Sequence, residues 1–214
     1  MKWDDLVNKY QQLQSTHGDK SLDAIISGGK RTAPQVCFIF MNPTGRNIAS
    51  DKSWTSLKAP WIGTKSVWKL FSEVGIFDQE LSKEIFHKKP CDWDYSFAEK
   101  VYREVENQDF YITNLAKCTQ TDAKHLPNSV FNDYLDLLQE ELKYVNPKRI
   151  ICFGNQVSSI FIGKRISVSS DRRTITEVVI KDEKIRTMPT YYPVGQGQRN
   201  IGKAIADIKW FLKR

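Results

Sequence analysis

The stretch "VCFIFMNPTGRN", residues 36–47, decides how the rest of the chain is read. Val36 to Met41 form an unbroken apolar run of strand length. A continuous run, rather than an alternating one, marks a strand covered on both faces, as in a parallel sheet. The run stops at Asn42-Pro43-Thr44-Gly45, a β-turn signature. Two further stretches repeat this form. "DFYITN" (109–114) ends at Asn114, and "PKRIICFG" (147–154) ends at Gly154, where a helical pattern opens. Between them apolar residues recur at helical spacing: Trp3, Leu6, Val7, Tyr10 and Leu13; then Val67, Trp68, Leu70, Phe71 and Val74, with Gly75 as a stop. Residues 97–107 and 130–145 read as two more helices, the second capped by Asn128 or Ser129. "SLDAIIS" (21–27) reads as a short helix closed by Gly28-Gly29, and 87–96 as a loop. Residues 172–193 read as a strand pair turning at Asp182-Glu183, and 199–214 as a closing helix.

Strands alternating with helices predict an α/β fold. The expectation is a three-layer sandwich, its central, mainly parallel sheet flanked by helices on both faces, in a single domain over 1–214. Ligands of such sheets sit beyond the carboxyl ends of the strands. Here those ends carry Asn42-Pro43, Asn114, Gly154-Asn155 and Thr190-Tyr191-Tyr192-Pro193.

Composition narrows the class. The 214 residues suit one full domain, and 40% hydrophobic with 12% aromatic content supports a sizeable core and excludes a disordered chain. A net charge of +7 and a pI near 9.1 favour a polyanionic partner, nucleic acid first. No apolar run reaches the ~18 residues of a membrane span, so no membrane partner is expected. "MKWDDLVNKYQQLQ" lacks the apolar core of a signal peptide, which points to the cytoplasm. Cys37, Cys91, Cys118 and Cys152 form no C-x-x-C pair and read as reduced thiols, most of them packed in the core. His17, His87 and His125 are scattered without metal-ligand spacing, so neither metal nor other cofactor is expected.

Each site element has a plain reading by itself. Asn42 belongs to a turn, Asn114 could cap a helix, Trp61 could be core, and Tyr191 and Tyr192 could cover the sheet. Lys65, Lys117, Arg172, Arg173 and Arg199 could be solvated charges. Their order along the chain is more specific. "FMNPTG" resembles the first motif of the mismatch-specific branch of the uracil-DNA glycosylase superfamily. "APWIGTKSVWKLFSEVGI" and "FYITNLAKC" resemble two successive motifs of its thermostable iron–sulfur branches. "NPKRIICFGNQVSSIFIG" is similar to the strand–glycine–helix that follows, and "MPTYYPVGQGQRN" falls at the last motif, a Thr-Tyr-His-Pro sequence in the family. The resemblance runs from about Pro34 to Phe211.

It implies a DNA base-excision glycosylase, acting on a uracil or other deaminated or damaged base that has been flipped out of the helix. Asn42 would position the attacking water, Trp61 with Met41 would hold the base, and Asn114 would read its edge through a two-ended amide. Tyr192 would stand at the leaving-group histidine. Lys65, Lys117, Gln196 and Arg199 would meet DNA, single- or double-stranded, with the protein acting as a monomer. Two departures stand out. Tyrosine replaces histidine at 192, and the apolar wedge beyond it is absent. The iron–sulfur cluster lacks its ligands: Cys118 matches one position, but Tyr134 occupies another and no early cysteine pair is present. Two alternatives stay open: a weak or inactive nucleic-acid-binding member of the fold, and a binder of free nucleobase or nucleotide.

Overall fold

The computed structural model describes residues 1–123 and 125–214. Six strands form one sheet: β1 (Ser27–Gly29), β2 (Val36–Phe40), β3 (Phe110–Asn114), β4 (Arg149–Phe153), β5 (Thr176–Ile180) and β6 (Glu183–Thr190), in the order β1-β3-β2-β4-β6-β5. The four central strands, β3, β2, β4 and β6, run parallel, and β1 and β5 close the edges antiparallel. Around them lie α1 (Trp3–His17), α2 (Ser66–Val74), α3 (Gln79–His87), α4 (Tyr95–Asn107), α5 (Asn128–Val145), α6 (Asn155–Ile162), α7 (Val168–Asp171) and α8 (Ile201–Leu212).

The continuous apolar runs resolve into two faces. Phe38, Phe40, Phe110, Ile112, Ile151 and Phe153 pack against α2, α3, α4 and α8. Cys37, Ile39, Tyr111, Ile150 and Cys152 pack against α1, α5 and α6. Strand side chains alternate in direction, so a strand with both faces buried must be apolar at every position. The fold is therefore the expected α/β sandwich with a mainly parallel sheet. Cys37, Cys118 and Cys152 are buried and Cys91 is exposed.

Register sets the platform for the site. Phe40 pairs with Asn114, and Phe153 with Thr190, so the parallel strands end along one edge. β3 and β4 flank β2 on opposite sides, which makes this a topological switch point.

Several local expectations are corrected. Residues 21–27 are not helical: 21–26 form a turn and irregular chain, and Ser27 opens β1. Ala24, Ile25 and Ile26 are all buried, a pattern that one face of a helix cannot give. Gly28 lets the Tyr102 ring press on the strand backbone: an added Cβ would lie 2.0 Å from the ring. Helix α3, in a stretch with no clear sequence pattern, is capped by the Asp78 carboxylate, which accepts from the Leu81 N–H at 2.7 Å. Helix α5 starts at Asn128 after Pro127 with no side-chain cap. The β5–β6 turn is centred on Lys181-Asp182, with φ of 47° and 80°, and Glu183 already lies in β6. Two positive φ values in succession give the turn whose twist matches a two-residue hairpin.

Candidate active site

Beyond the carboxyl edge of the parallel strands lies a cavity of about 540 Å3. Its wall includes Met41 and Asn42 after β2, Asn114 at the end of β3, Trp61 before α2, and Tyr192 after β6. Five side chains singled out from sequence thus share one cavity, although they come from segments far apart in the chain.

Asn42 is partly buried, and its Nδ2 donates to the Pro43 carbonyl at 3.1 Å. That bond orients the amide and leaves Oδ1 as its acceptor end. Asn114 is almost fully buried, and its Nδ2 has no hydrogen-bond partner among the described residues. An unpaired buried N–H costs about 1–3 kcal/mol, which a ligand carbonyl would recover. The Trp61 indole N–H is likewise buried without a partner.

Trp61 is held from several sides. Its φ of 69° lies in the left-handed region, unusual for a bulky residue. Its carbonyl accepts from Trp68 Nε1 at 3.1 Å and from Thr64 Oγ1 at 2.7 Å, and the Tyr102 hydroxyl donates to the Pro60 carbonyl just before it. The Trp61 ring meets Phe40 edge-on, with centroids 4.9 Å apart. Phe40 also meets the Tyr192 ring at 6.2 Å and stacks on Phe153 at 4.4 Å. One aromatic side chain in the floor thereby sets the positions of two in the walls.

Tyr192 is fixed through its neighbours. Thr190, two residues earlier, donates to the buried Asp207 of α8 at 2.9 Å, and the same carboxylate accepts from Arg172 and Arg173. Burial pushes the Tyr192 hydroxyl well above the usual tyrosine range, against a smaller opposing contribution from the Met41 backbone amide. At neutral pH it is a neutral hydrogen-bond donor and not a base. Among the described residues lining the cavity there is no Asp or Glu.

The loop after Tyr192 folds back over it. A Cβ on Gly197 would lie 1.9 Å from the Tyr192 carbonyl oxygen, a contact with backbone that cannot swing aside. Gly197→Ala is therefore expected to displace Tyr192. Ligand binding at the cavity should weaken by about tenfold or more, while Tm, set by the distant sheet core, changes by only a few degrees. Titration with any cavity ligand alongside a thermal melt checks this.

The DNA-facing expectations fare differently. Lys117 is fully buried, paired with Glu141 at 2.8 Å, and its Nζ donates to the Asn114 carbonyl at 2.6 Å. A phosphate cannot reach it, and its assignment to DNA is corrected. Lys65 is half-buried and turned onto α3, donating to the Phe86 carbonyl at 2.6 Å. Gln196 and Arg199 are exposed in the 3-10 turn Gly195–Asn200, outside the cavity wall. Gly154-Asn155 also lies outside it, and Asn155 instead accepts from the Val168 N–H at 2.9 Å.

The cavity wall contains Arg46, His125, Ser66 and Gln198, none of which was singled out from sequence as a site residue. Arg46 follows Asn42 in the same turn, so the turn itself was the available signal. The Gln198 amide donates to Ser66 Oγ at 3.1 Å, joining the loop after Tyr192 to the start of α2. For an iron–sulfur cluster the residues do not fit. Cys118 is buried facing the Tyr134 hydroxyl, and no group of three metal-ligating side chains occurs among the described residues. No described helix is long and apolar enough to cross a membrane.

The cavity at this strand edge is walled by amides and aromatic rings, within a basic α/β sandwich. The chain belongs to the uracil DNA glycosylase superfamily, whose model matches residues 28–212. Members of that superfamily are typically hydrolytic DNA glycosylases. A comparison with curated proteins returns no match.

Proposed function

We propose that this protein is a monofunctional DNA glycosylase that hydrolyses the N-glycosidic bond of a flipped uracil, or of another deaminated or damaged base. It acts as a monomer in the cytoplasm. The observation that carries the reading is the convergence of Asn42, Trp61, Asn114 and Tyr192 on one cavity.

The chemistry follows from those groups. Trp61 and Met41 hold the extruded base, and base–aromatic stacking contributes ~1–3 kcal/mol. The free N–H of Asn114 donates to a base carbonyl, and the other end of its amide accepts a ring N–H. Asn42 Oδ1 accepts from a water and aims it at the anomeric carbon. As the C–N bond breaks, its electron pair moves onto the base and the sugar takes on oxocarbenium character. Tyr192 donates a hydrogen bond to the departing base anion. The water oxygen then bonds to carbon, and its proton leaves to solvent, since among the described residues no carboxylate lines the cavity to take it. An amide positions water without abstracting a proton, so the rate rests on orientation and leaving-group stabilisation.

Exposed Arg46 and His125 at the cavity, with Lys65, Gln196 and Arg199 around it, supply the DNA-facing surface. DNA affinity should fall steeply with salt, and Arg46→Ala should lower the slope of log affinity against log salt by about one.

Tyrosine at 192 favours a second reading, a nucleic-acid-binding member with weak or no activity. The test is incubation with single- and double-stranded oligonucleotides that each carry one modified base, scored for abasic sites. Abasic-site formation supports the glycosylase. Tight DNA binding with no abasic sites across the panel supports the second reading. Absent DNA affinity, with thermal stabilisation by free nucleobases, would assign the cavity to a free base.

A further inference from the structure

An ion pair lies in the core directly behind the cavity. Lys117 and Glu141 are both fully buried, 2.8 Å apart. The Glu141 carboxylate is saturated: Oε2 accepts from the Tyr10 hydroxyl at 2.7 Å, and Oε1 accepts from Thr113 Oγ1 at 2.6 Å and the Tyr111 hydroxyl at 3.1 Å. The Lys117 ammonium lies 5.0 Å from the centre of the Tyr10 ring and donates to Thr113 Oγ1 and to the Asn114 carbonyl. Desolvating two ions costs several kcal/mol each, and apolar side chains of similar volume commonly stabilise a core as well or better. Stability alone therefore does not account for the pair.

What the pair does is local to the end of β3. Successive strand side chains point to opposite faces. Tyr111 and Thr113 point to the α5 side and are tied to Glu141, while Asn114 lies in the cavity wall. Among the described residues the Asn114 Nδ2 has no partner of its own, so backbone and packing set its position. The Leu115 and Ala116 N–H groups are tied to the Phe40 and Met41 carbonyls, and the Asn114 carbonyl itself is held by Lys117 at 2.6 Å.

We infer that Lys117, held by Glu141, is a positioning residue that fixes the Asn114 amide for base recognition. The inference rests on the base-binding role given to Asn114 above. Lys117 itself touches neither base nor phosphate.

The test is a double-mutant cycle. Lys117→Met is made together with Glu141→Gln, so that no lone charge is buried, Thr113 and Tyr111 keep an acceptor in the amide oxygen, and the Tyr10 hydroxyl can turn to accept from the amide N–H. The milder Thr113→Val, which removes the hydroxyl between the two ions, is the second variant. Each is made with and without Asn114→Ala. In single-turnover excision of a uracil-containing oligonucleotide, the Lys117→Met/Glu141→Gln protein should react about ten- to a hundredfold slower, with DNA affinity and its salt slope unchanged. Thr113→Val should lose a smaller factor. Neither loss should add to that of Asn114→Ala, because each acts through it. Losses that multiply, or a reduced salt slope, would overturn the inference.

A second readout needs no activity. Hydrogen exchange at residues 114–117 should quicken in both variants, while 36–40 stays protected. Unaltered exchange at 114–117 overturns the inference. A wild-type protein that excises nothing overturns the glycosylase reading instead, and hydrogen exchange then decides the role of Lys117 by itself.

Discussion

Asn42→Ala is expected to lower single-turnover excision on the order of a hundred- to a thousandfold while leaving oligonucleotide affinity within about twofold. Among the described residues the side chain makes one hydrogen bond, to its neighbour's carbonyl, and Pro43 holds the turn without it. Little folding energy is therefore at stake, and the loss should appear in the maximal rate and not in half-saturation. Asn42→Asp provides the opposite arm. A carboxylate at the same place can take the water's proton as well as aim it, so excision should become faster than wild type. Equal rates for wild type and Asn42→Ala would remove Asn42 from the chemistry.

The second large effect is on stability at high pH. Burial pushes the thiols of Cys37, Cys118 and Cys152 above their ordinary pKa. It does the same to the hydroxyls of Tyr10, Tyr102, Tyr111, Tyr134 and Tyr192. The sign follows from linkage. In the fold these groups keep their protons to higher pH than in the unfolded chain, where ionisation begins near ~8.5 for cysteine and ~10 for tyrosine. Their contribution is whole below pH ~8 and is lost as pH rises, at ~1.4 kcal/mol per pH unit for each group ionised only when unfolded. Lys117, its pKa lowered by burial against the pull of Glu141, has the opposite sign, but it is one group against many. Stability should fall by roughly 5 kcal/mol or more between pH 8 and pH 10, lowering Tm by ~10–20 °C. Thermal melts across that range check it. A flat Tm would mean that these groups ionise in the fold as readily as outside it.

The fold was legible because β2 is apolar at every position and β3 and β4 at most of theirs, and a buried parallel sheet leaves few other readings. Asn42, Trp61, Asn114 and Tyr192 were legible as a motif order, and the cavity supplies the spatial reason for that order. What escaped was of another kind. Ala24, Ile25 and Ile26 are a short apolar run that reads as helix or strand, and backbone bonds to distant segments, from the Ile25 N–H to the Lys117 carbonyl and from the Ile26 N–H to the Lys58 carbonyl, decide against the helix. Lys117 sits in "NLAKCTQT", where nothing local marks a buried cation. The signal lay elsewhere, in α5. Helical phase places Glu141 on the same stripe as Phe131, Tyr134, Leu138 and Val145, and a carboxylate inside an apolar stripe requires a cationic or hydroxyl partner. Asp207 follows the same rule among Ala204, Ile208 and Phe211, and its partners are Arg172, Arg173 and Thr190. Both arginines had read as solvated charges.

The evenness of the four strand ends has a consequence for how this scaffold can change. Asn42 and Asn114 are rooted in the most cooperative part of the molecule, where local opening costs as much as unfolding the whole. The 193–200 turn belongs to a more exposed segment with fewer ties, free to be rebuilt without melting what lies beneath. On the proposed reading, a change of base preference should arise by rewriting that turn, with the two amides left in place.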